Sequence, residues 1–408
     1  MSGAVAGAED SLFPIENLPY AVFSPNRGAQ RGGEPRVGVA VGDFLLDVPG
    51  AAAAAGLSPD HAALLSAPVL NSFMSAGPTV WAAVRERLTE LLAHEANRAV
   101  VEPHLHQRQD VAFHLPFEVA DYADFYSSEQ HAVNVGRILR PGSEPLTPNW
   151  KHLPIGYHGR AGTVVVSGTA IRRPRGQRKS AEDAAPRFGP SERLDVEVEV
   201  GFVVGVGSRM GTSVEVGAFS EHVFGLCLLN DWSARDLQAF EYVPLGPFLA
   251  KSFATSVSPF VVPLAAVQAA RCEPPRRDPP VQDYLRDREP WGLDLRLELE
   301  CNGTVVSRPP FSGMYWTPAQ QLAHLTVNGA SIRTGDLYGS GTVSGAEVGE
   351  RGSFLELSWN GAEPVRLGNG SERSFLEDGD VVTIRGTARG TAGAPISLGE
   401  VTGAILPA

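Results

Sequence analysis

The chain from about residue 111 onward consists of short apolar runs broken by glycine, proline, asparagine and aspartate. Such regularly spaced strands favour a β-sandwich or roll over a sheet of alternating strands and helices. Three of the Asn-Gly pairs are taken as turn signals, and two of these are compatible with hairpins. They are Asn302-Gly303, Asn328-Gly329 and Asn360-Gly361, and the predicted strands lie in TVVVSGTAI (163–171), LDVEVEVGFVVGVG (194–207), HVFGLCLLN (222–230), DLRLELECNGTVVS (294–307), SFLELSWNG (353–361) and DVVTIRGTARG (380–390).

The first hundred residues have a different pattern. The segment RVGVAVGDFLLDV (36–48) predicts two strands around a Gly-Asp turn. The segment WAAVRERLTELLAHEANRA (81–99) has helical periodicity and charges at i, i+4 spacing. A length of 408 residues favours two domains. We therefore predict a boundary between residues 110 and 120.

The composition limits the classes of partner. Hydrophobic residues make up 43% and charged residues 20% of the chain, which is ordinary for a globular protein. The formal net charge of -12 argues against a nucleic-acid partner, which would favour a basic surface. One basic cluster is predicted to be a solvated loop. It comprises Arg172, Arg173, Arg175, Arg178 and Lys179.

Other features indicate the compartment. The three cysteines form neither a zinc spacing nor a disulfide framework, which suits a reducing environment. MSGAVAGAEDSLFP has no basic region before an apolar stretch, so no signal peptide is expected. No run approaches the roughly 20 apolar residues of a membrane span. We expect a cytoplasmic protein without a membrane partner.

Several common catalytic motifs are absent from the sequence. No serine occurs in G-x-S-x-G, and there is no H-E-x-x-H and no EF-hand loop. GPFLAKS (246–252) resembles the end of a P-loop, but Ala250 stands where glycine is required. The sequence therefore gives little support to a serine hydrolase, a zinc protease or a nucleotide-binding protein.

Three carboxylates occupy alternate positions in RLDVEVEVGF (193–202). Alternate side chains of a strand share a face, so Asp195, Glu197 and Glu199 are expected to point the same way. They are about 6.6 to 6.8 Å apart along the strand, and like charges repel. A solvated outer face tolerates that repulsion. The alternative is a hard cation, which prefers carboxylate oxygens and turns the repulsion into attraction.

The segment LCLLNDWSARDLQAFEY (226–242) joins an apolar strand to a run with helical spacing. Asp231 lies at the junction and is either a helix N-cap or a residue of a polar site. On the predicted helix, Arg235 and Gln238 are three residues apart and share a face. An aspartate at a strand end, followed by such a helix, is a common way to build a polar site.

Three other segments also allow two interpretations each. Lys251 lies among apolar residues and either extends to solvent or binds an anion. Glu356, in the predicted strand SFLELSWNG, faces away from its leucine neighbours and is either a surface residue or part of a site. DYADFYSSEQHAVNVG (121–136) is either a polar loop or a segment in which Asp124 and His131 share a site.

Taken together, these segments closely resemble the fumarylacetoacetase family, also called the fumarylacetoacetate hydrolase family. The matches occur in the family's order and span nearly the whole chain, so the set is far more specific than any single motif. Differences occur at Ala21, in the Gly/Ala-rich leader and at 178–192, and none falls on a position assigned to chemistry. The matching segments are NLPYAVF (17–23), DYADFYSSEQHAVNVG, PNWKHLPIGYHGRAGTVVVSGTAIRRPRGQ (148–177), LDVEVEVGFVVG, NDWSARDLQAFEYVPLGPFLAKSFATSVSPFVVP, SGMYWTPAQQLAHLTVNG (312–329) and SGTVSG (340–345).

The resemblance implies a fold and a reaction. The fold is mainly β, with a small N-terminal SH3-like barrel (1–115) followed by a large mixed β-sandwich roll (116–408), assembled as a homodimer. The reaction is the metal-dependent hydrolysis of the carbon–carbon bond of 4-fumarylacetoacetate, a small β-diketo acid, to fumarate and acetoacetate. This is the last step of phenylalanine and tyrosine catabolism.

The resemblance also implies roles for individual residues. His131 matches the catalytic base, and Glu356 matches its carboxylate partner. Residues that match groups stabilising the leaving carbanion or oxyanion are Arg235, Gln238 and Lys251. The implied ligands of Ca²⁺ or Mg²⁺ are Asp124, Glu197, Glu199 and Asp231, with Lys251 and Thr255 at positions associated with the same metal site. Positions that match substrate contacts are Tyr126, Arg140, Tyr157, Arg235, Gln238, Tyr242 and Thr342.

This chemistry accounts for the residue types. Cleaving a β-diketone requires a hydroxide equivalent at one carbonyl and an electron sink for the departing enolate. A His–Glu pair supplies the first, because the carboxylate orients the imidazole as in the lower half of a serine triad. A cation binds the diketone oxygens and stabilises developing charge. Arg235 and Lys251 suit the substrate carboxylate or the leaving acetoacetate.

Two alternatives remain open from the sequence alone. The first is a related hydrolase, decarboxylase or isomerase of the same superfamily, with acylpyruvate or oxaloacetate as substrate for the first two; its resemblance would cover mainly the second domain. The N-terminal match, together with His131 in H-A-V-N-V-G, favours the fumarylacetoacetase family itself. The second is a non-catalytic binding protein stabilised by a metal. It gives no reason for His131, Arg235 and Lys251 to accompany the ligands.

Overall fold

The computed structural model describes residues 3–27, 30–31, 33–180 and 182–408. Within these residues, strands form a six-stranded N-terminal sheet, an eight-stranded central sheet, a five-stranded sheet and four two-stranded ladders. The predicted mainly β fold class is therefore confirmed, with a unit of small antiparallel strands followed by larger mixed sheets. The predicted boundary at residue 115 falls in the segment that links these two parts, and it stays a prediction.

The N-terminal sheet is entirely antiparallel, and α-helices lie along the chain between its fourth and fifth strands. The predicted hairpin in 36–48 is present, and Gly42, with φ 58°, adopts the left-handed conformation that its turn requires. The predicted helix at 81–99 is also present, although it runs from Pro78 to Ala93. The strands are Tyr20–Arg27, Gln30–Arg31, Arg36–Val41, Phe44–Asp47, Leu105–Gln107 and Val111–His114, and the α-helices are Val48–Ala51, Pro59–Leu65, Asn71–Met74, Pro78–Ala93 and Arg98–Val101.

The central sheet is mixed. Tyr122–Phe125 runs parallel to Leu337–Gly339, and Thr255–Val257 runs parallel to Val164–Val166, whereas the other pairings are antiparallel. The strands, in their order across the sheet, are Gly156–His158, Tyr122–Phe125, Leu337–Gly339, Val198–Val204, Val223–Asp231, Thr255–Val257 and Val164–Val166, with Val262–Pro263 also paired to Val223–Asp231.

The five-stranded sheet packs against the central sheet. In order, its strands are Ile171–Arg172, Pro395–Leu406, Val381–Arg389, Leu295–Cys301 and Thr304–Ser307. The two-stranded ladders join Arg175–Arg178 to Arg187–Pro190, Leu194–Asp195 to Ser233–Ala234, Arg271–Cys272 to Gly292–Leu293, and Val365–Arg366 to Glu372–Arg373.

The α-helices of this second part are short. They are Glu129–Leu139, Phe219–His222, Arg235–Glu241, Pro318–Thr326 and Phe354–Leu357. The 3-10 helices of the whole described chain are Glu95–Asn97, Glu102–His104, Arg108–Asp110, Ala161–Thr163, Val216–Ala218, Leu264–Ala270, Asp283–Leu285, Phe311–Gly313 and Val348–Glu350. Among the described residues, none of the helices is both long and apolar enough to cross a membrane.

The central sheet is the middle of three layers. On the fully buried strand Val223–Asp231, Leu226 and Leu228 belong to a core shared with the five-stranded sheet. Their neighbours Cys227 and Leu229 belong to a second core, shared with the N-terminal unit. Because side chains alternate between the faces of a strand, both faces of this sheet are covered. That explains why its strands are continuous apolar runs in the sequence.

The prediction of a strand at SFLELSWNG is wrong, because Phe354–Leu357 forms a short helix. Ser353 is its N-cap and accepts the backbone N–H of Glu356. The buried carboxylate of Asp195 accepts the backbone N–H groups of Phe354 and Leu355 at 2.7 and 3.0 Å. A short apolar run fits either a strand or a helical turn, and here the capping groups decide.

The three predicted Asn-Gly turns differ in the kind of element that they follow. Asn302-Gly303, with φ 49° and 77°, forms the hairpin turn between two strands of the five-stranded sheet. The pairs Asn328-Gly329 and Asn360-Gly361 instead follow the helices Pro318–Thr326 and Phe354–Leu357. Residues in the left-handed conformation commonly end helices, so the same dipeptide has a second use here.

The prediction of a solvated loop for the basic cluster is wrong, because Arg172, Arg175 and Arg178 lie in strands and Arg173 is buried. The side chain of Arg173 donates to the carboxylate of Asp378 at 2.6 Å and to the carbonyls of Ser191 and Leu376 at 3.0 and 2.9 Å. Three acceptors around one guanidinium satisfy most of its donors, which makes the burial of its charge tolerable.

Candidate active site

One face of the central sheet changes from apolar to acidic along its strands. On Val223–Asp231, alternate residues Cys227 and Leu229 lie in the N-terminal core, and the next alternate residue is Asp231. On the strand Tyr122–Phe125, Tyr122 lies in that same core and the next alternate residue is Asp124. The period of two therefore brings acidic groups from separate strands to one end of the same face.

Four carboxylates meet at this end of the sheet, and an oxygen of each lies within 4.8 Å of those of the others. Asp124 Oδ1 and Glu199 Oε1 are buried and have no hydrogen-bond partner among the described residues. Leaving buried carboxylate oxygens unpartnered is costly, whereas hard divalent cations prefer such ligands. The group, which we call the acidic quartet, therefore fits a divalent cation. It comprises Asp124, Glu197, Glu199 and Asp231.

Two cationic side chains lie beside the acidic quartet without neutralising it. Lys251 Nζ donates to Asp231 Oδ2 at 2.6 Å and also to Glu197. Arg235 bridges Glu197 Oε1 and Asp195 Oδ2, each at 2.8 Å. Five buried carboxylates thus face two positive charges. A divalent cation would remove most of the remaining negative excess.

The burial of these groups decides between the earlier alternatives. Asp195, Glu197 and Glu199 are at most 4% exposed, so they do not form a solvated outer face. Lys251 is 6% exposed and does not extend to solvent. Asp231 is the last residue of its strand, whereas the N-cap of the following helix is Ala234. The interpretation of Asp231 as an N-cap is therefore wrong.

The carboxylates of the acidic quartet differ in pKa. Burial raises the pKa of Asp124 to about 8, and the charge of Asp231 adds to the effect while Lys251 opposes it. Burial also raises the pKa of Glu199 well above its usual value. For Glu197 burial acts in the same direction, but Lys251 and Arg235 together hold its pKa below the usual range. The surroundings therefore disfavour the charged forms of Asp124 and Glu199 more than that of Glu197.

Asp231 is fixed by neutral donors as well as by Lys251. Thr255 Oγ1 donates to its Oδ1 at 2.9 Å, and the Tyr157 hydroxyl donates to its Oδ2 at 3.1 Å. Thr255 lies opposite Asp231 in the strand ladder, so the sheet itself sets this contact. Tyr157, predicted to contact substrate, thus lies directly against the acidic quartet.

His131 lies in the first turn of the helix Glu129–Leu139. Ser128 caps this helix by accepting the backbone N–H of His131 at 3.2 Å, and its hydroxyl donates to the carbonyl of Ser344 at 3.1 Å. Asn134, three residues after His131, faces the same way. The cap thereby ties the helix that carries His131 to the loop at 340–345.

Glu356 is the centre of a complete hydrogen-bond network. His131 Nδ1 lies 2.7 Å from Glu356 Oε2, and the hydroxyls of Ser344 and Ser353 each donate to that oxygen at 2.9 Å. Asn134 Nδ2 donates to Oε1 at 2.9 Å. Burial alone would raise the pKa of Glu356, but His131 and these hydrogen bonds hold it below its usual value. The carboxylate therefore stays ionised against His131.

Tyr126 lies beside this pair. Its ring packs edge-on against His131, with centroids 5.3 Å apart. Burial, followed by the charge of Glu356, raises the pKa of Tyr126, while Arg140 and Arg235 oppose the shift. The hydroxyl of Tyr126 is therefore protonated and can donate a hydrogen bond in this space.

The remaining predicted residues are brought together to different degrees. Gln238 Oε1 accepts from Arg235 Nη1 at 3.1 Å, as their helical spacing predicts. Thr342 is buried in the 340–345 loop, next to Gly341, whose N–H donates to Glu199 Oε2 at 3.1 Å. Arg140 donates to the carbonyl of Pro145 at 2.8 Å. Tyr242 is half-buried, and its side chain makes no hydrogen bond to any other residue that the structure describes.

Sequence comparisons decide the family. The model of the fumarylacetoacetate hydrolase C-terminal region matches residues 121–397, and that of the fumarylacetoacetase N-terminal region matches 16–116. The chain belongs to the fumarylacetoacetate hydrolase family. The fumarylacetoacetase of Homo sapiens is 46% identical over 98% of both chains, and that of Caenorhabditis elegans is 44% identical over the full length of both.

Solved structures of the fumarylacetoacetate hydrolase fold agree with this architecture. A fumarylacetoacetate hydrolase from Exiguobacterium antarcticum aligns with a TM-score of 0.56 at 15% identity, covering 96% of this chain and all of that one. A maleylpyruvate hydrolase from Sphingobium aligns with a TM-score of 0.52 at 14% identity, over 96% and 100% of the two chains. At these identities the likeness concerns the fold alone.

The structure adds residues that the family resemblance did not nominate. Asn134, Ser344 and Ser353 hold Glu356, and Asp195 holds Arg235. The spacing of Asn134 from His131 was a sequence signal for its place in this network. Ser344 lies in the matching segment SGTVSG, which assigned it no role, and Ser353 offered no signal because its contact with Glu356 depends on a helix that the strand pattern did not predict.

Proposed function

We infer that this chain is a fumarylacetoacetase, a hydrolase that cleaves the carbon–carbon bond of 4-fumarylacetoacetate to give fumarate and acetoacetate. The observation that carries the inference is the juxtaposition of two groups: the acidic quartet beside Lys251 and Arg235, and the buried His131–Glu356 pair. Full-length similarity to fumarylacetoacetases of animals and plants supports the same reaction.

The acidic quartet is proposed to hold Ca²⁺ or Mg²⁺ through carboxylate oxygens, with Thr255 orienting Asp231. When bound, the cation supplies a Lewis acid and a template for the two oxygens of the β-diketone. Lys251 was grouped with the metal site by the resemblance. An ammonium group has no lone pair to offer, so we assign Lys251 to balancing charge at Glu197 and Asp231.

His131 is proposed to act as the general base. Glu356 accepts the Nδ1–H of His131, which leaves Nε2 free to take a proton from water. The resulting hydroxide adds to the carbonyl carbon that becomes the new carboxylate of fumarate. The adjacent carbon–carbon bond then breaks, its electron pair leaves with acetoacetate as an enolate, and the proton held by His131 returns to that carbanion.

Arg235, Gln238 and Lys251 are proposed to stabilise the charge on the departing acetoacetate. Arg235 is held rigidly for this task because Asp195 and Glu197 fix its guanidinium and Gln238 accepts from it. The remaining proposed substrate contacts surround the same space or its approach. They are Tyr126, Arg140, Tyr157, Tyr242 and Thr342.

The wider setting is also proposed from the family. We propose a cytoplasmic homodimer that performs the last step of phenylalanine and tyrosine catabolism, with residues 1–115 as a separate N-terminal domain. These statements rest on the resemblance over nearly the whole chain.

The direct test is the loss of fumarylacetoacetate absorbance with purified protein, beside acylpyruvate and oxaloacetate as control substrates. Chelation should abolish turnover, and Ca²⁺ or Mg²⁺ should restore it. His131→Ala should retain its fold and cation binding but lose roughly 10²- to 10⁴-fold in kcat. His152→Ala, which removes an exposed histidine, should behave as wild type. Full activity of the chelated protein or of His131→Ala would refute the corresponding role.

A further inference from the structure

Gly339 belongs to the strand that lies between the two strands carrying Asp124 and Glu199. In the ladder it is paired with Asp124 on one side and with Gly201 on the other, two residues from Glu199. A Cβ at position 339 would lie 2.8 Å from both Asp124 Oδ1 and Glu199 Oε2, and 3.3 Å from the hydroxyl of Tyr122. Non-bonded carbon and oxygen atoms do not approach as closely as 2.8 Å. Three oxygens thus converge on the space that a side chain would fill.

The backbone does not explain a glycine at this position. Gly339 is in a regular strand and is not among the residues with positive φ. The backbone at this position would therefore accept alanine without strain. What disfavours a side chain is the crowding of the Cβ position by neighbouring oxygens. The atoms in the way are the ends of flexible carboxylate side chains, which can move aside. What a methyl group would change is the position of two oxygens of the acidic quartet.

Tyr122 supplies the second observation. Its side chain is 1% exposed, and its hydroxyl has no hydrogen-bond partner among the described residues. Tyr122, Asp231, Tyr157 and Thr255 are among the residues that line a cavity of about 70 Å³. A cavity needs roughly 10–15 Å³ of such volume to hold one water molecule, so this one has room for water beside Asp231. A buried hydroxyl with no partner in the protein is suited to donate to such a water.

We propose that Gly339 and Tyr122 form the floor of the cation site. Gly339 leaves room for Asp124 Oδ1 and Glu199 Oε2 to converge, and Tyr122 donates to an oxygen held in the adjoining cavity. Both are positioning residues, since neither is a ligand. Ca²⁺ takes six to eight oxygens at 2.3–2.6 Å, whereas Mg²⁺ is smaller and takes six at 2.0–2.1 Å. Room at Gly339 therefore favours the larger ion.

The proposal rests on the proposed cation site, and one titration series tests both. Metal-free protein is titrated calorimetrically with CaCl₂ and, separately, with MgCl₂. Gly339→Ala should lower the affinity for Ca²⁺ by about 10- to 100-fold, the usual cost of disturbing the surroundings of a metal ligand, and should lower the affinity for Mg²⁺ less. Tyr122→Phe should lower the affinity for both ions by roughly tenfold. Thermal unfolding in chelator reports whether each variant folds.

Gly201→Ala is the matched control. Gly201 lies directly opposite Gly339, but a Cβ there would meet Leu337 Cδ1 at 2.9 Å and Cys227 Sγ at 3.3 Å rather than a carboxylate. This variant should be destabilised in chelator and should keep the wild-type ratio of Ca²⁺ to Mg²⁺ affinity. Wild-type affinities in Gly339→Ala, or an equal loss in Gly201→Ala, would overturn the role of Gly339, and wild-type affinity in Tyr122→Phe would overturn that of Tyr122. Wild-type protein that binds neither ion would instead overturn the proposed cation site itself.

Discussion

The buried carboxylate of Glu356 forms one set and the buried carboxylates of the acidic quartet form a second. The surrounding protein satisfies the hydrogen-bonding and charge requirements of the two sets in opposite ways. Glu356 accepts hydrogen bonds from His131, Asn134, Ser344 and Ser353, so both of its oxygens are satisfied. The acidic quartet has more negative charge than its two cationic neighbours can balance, and it leaves two buried oxygens without partners.

This difference indicates what each set is built to do. A carboxylate with complete hydrogen bonding stays ionised and fixed, which suits a group that orients an imidazole throughout a reaction. Carboxylates that repel one another are unfavourable alone and become favourable when a cation joins them. The protein alone satisfies the first set, whereas the second set has the arrangement that a bound cation would satisfy.

The largest expected effect follows from removing one member of the acidic quartet. Asp231→Asn keeps the shape of the side chain but removes a charge that Lys251, Thr255 and Tyr157 converge on. We expect cation affinity to fall by more than about 100-fold, beyond the loss caused by disturbing a ligand's partners, and turnover to disappear with it. Calorimetric titration with Ca²⁺ and an activity assay measure both.

Asp121→Asn is the matched control for Asp231→Asn, because Asp121 adjoins the same strand as Asp124 but does not belong to the quartet. It should bind Ca²⁺ as the wild type does. If Asp231→Asn also retained its affinity, the contrast between the two sets of carboxylates would fail.

A smaller effect is expected from Glu356→Gln, which tests the satisfied set. The amide cannot stabilise a protonated His131, so kcat should fall on the order of 10²-fold while cation affinity is unchanged. Because the pKa of Glu356 is lower in the folded chain than the unfolded value of about 4.3, its ionised form adds stability above that value. This contribution is lost as the pH falls through the folded pKa.

Thermal unfolding from pH 7 to pH 3 checks that sign. The midpoints of wild type and Glu356→Gln should differ at neutral pH and approach each other in acid. A difference that stays constant with pH would mean that the charge of Glu356 contributes nothing, and that only its shape matters.

The last effect is on stability and is expected from Lys251→Met, which removes a positive charge from beside the quartet. In chelator the variant should be less stable than wild type by about 3–5 kcal/mol, the usual cost of breaking a buried ion pair. The cation should stabilise the variant more than it stabilises wild type, since it meets more uncompensated charge. Measuring the free energy of unfolding of each protein in chelator and in saturating Ca²⁺ gives the stabilisation that the cation confers on the variant and on wild type.

Lys151→Met provides the comparison, since Lys151 pairs with Glu129 at 2.7 Å near the surface. Exposed pairs contribute about 0–1 kcal/mol, and this one should respond equally in chelator and in Ca²⁺. Equal losses for Lys251→Met under both conditions would show that Lys251 does not balance the charge of the quartet.

Local patterns predicted much of the fold. The alternation in residues 193–202 correctly separates the valines from Glu197 and Glu199, and the turn signals place hairpins at Gly42 and Asn302-Gly303. Arg235 and Gln238 were expected on one helix face and are in contact. These features depend on neighbours within a few residues, so they can be predicted from the local sequence alone.

Predictions failed at positions where contacts with distant parts of the chain determine the exposure or the conformation of a residue. Arg173 has the sequence signal of a solvated loop but is enclosed by acceptors from distant parts of the chain. The run around Glu356 has a strand pattern but forms a helical turn, because Ser353 and the remote Asp195 cap it. Tertiary contacts override local preference at such positions, and a single sequence gives no sign of them.

The sequence by itself determined which residue types are present, their alternation along each strand and, through the family resemblance, which carboxylates and which histidine belong to the candidate site. Only the tertiary structure decided that one sheet face ends in four carboxylates facing two cations, that Glu356 is fully hydrogen-bonded, and that Gly339 leaves open the space between Asp124 and Glu199. The reason is that distances between strands, and the burial that gives charges their energies, arise from contacts between residues far apart in the chain.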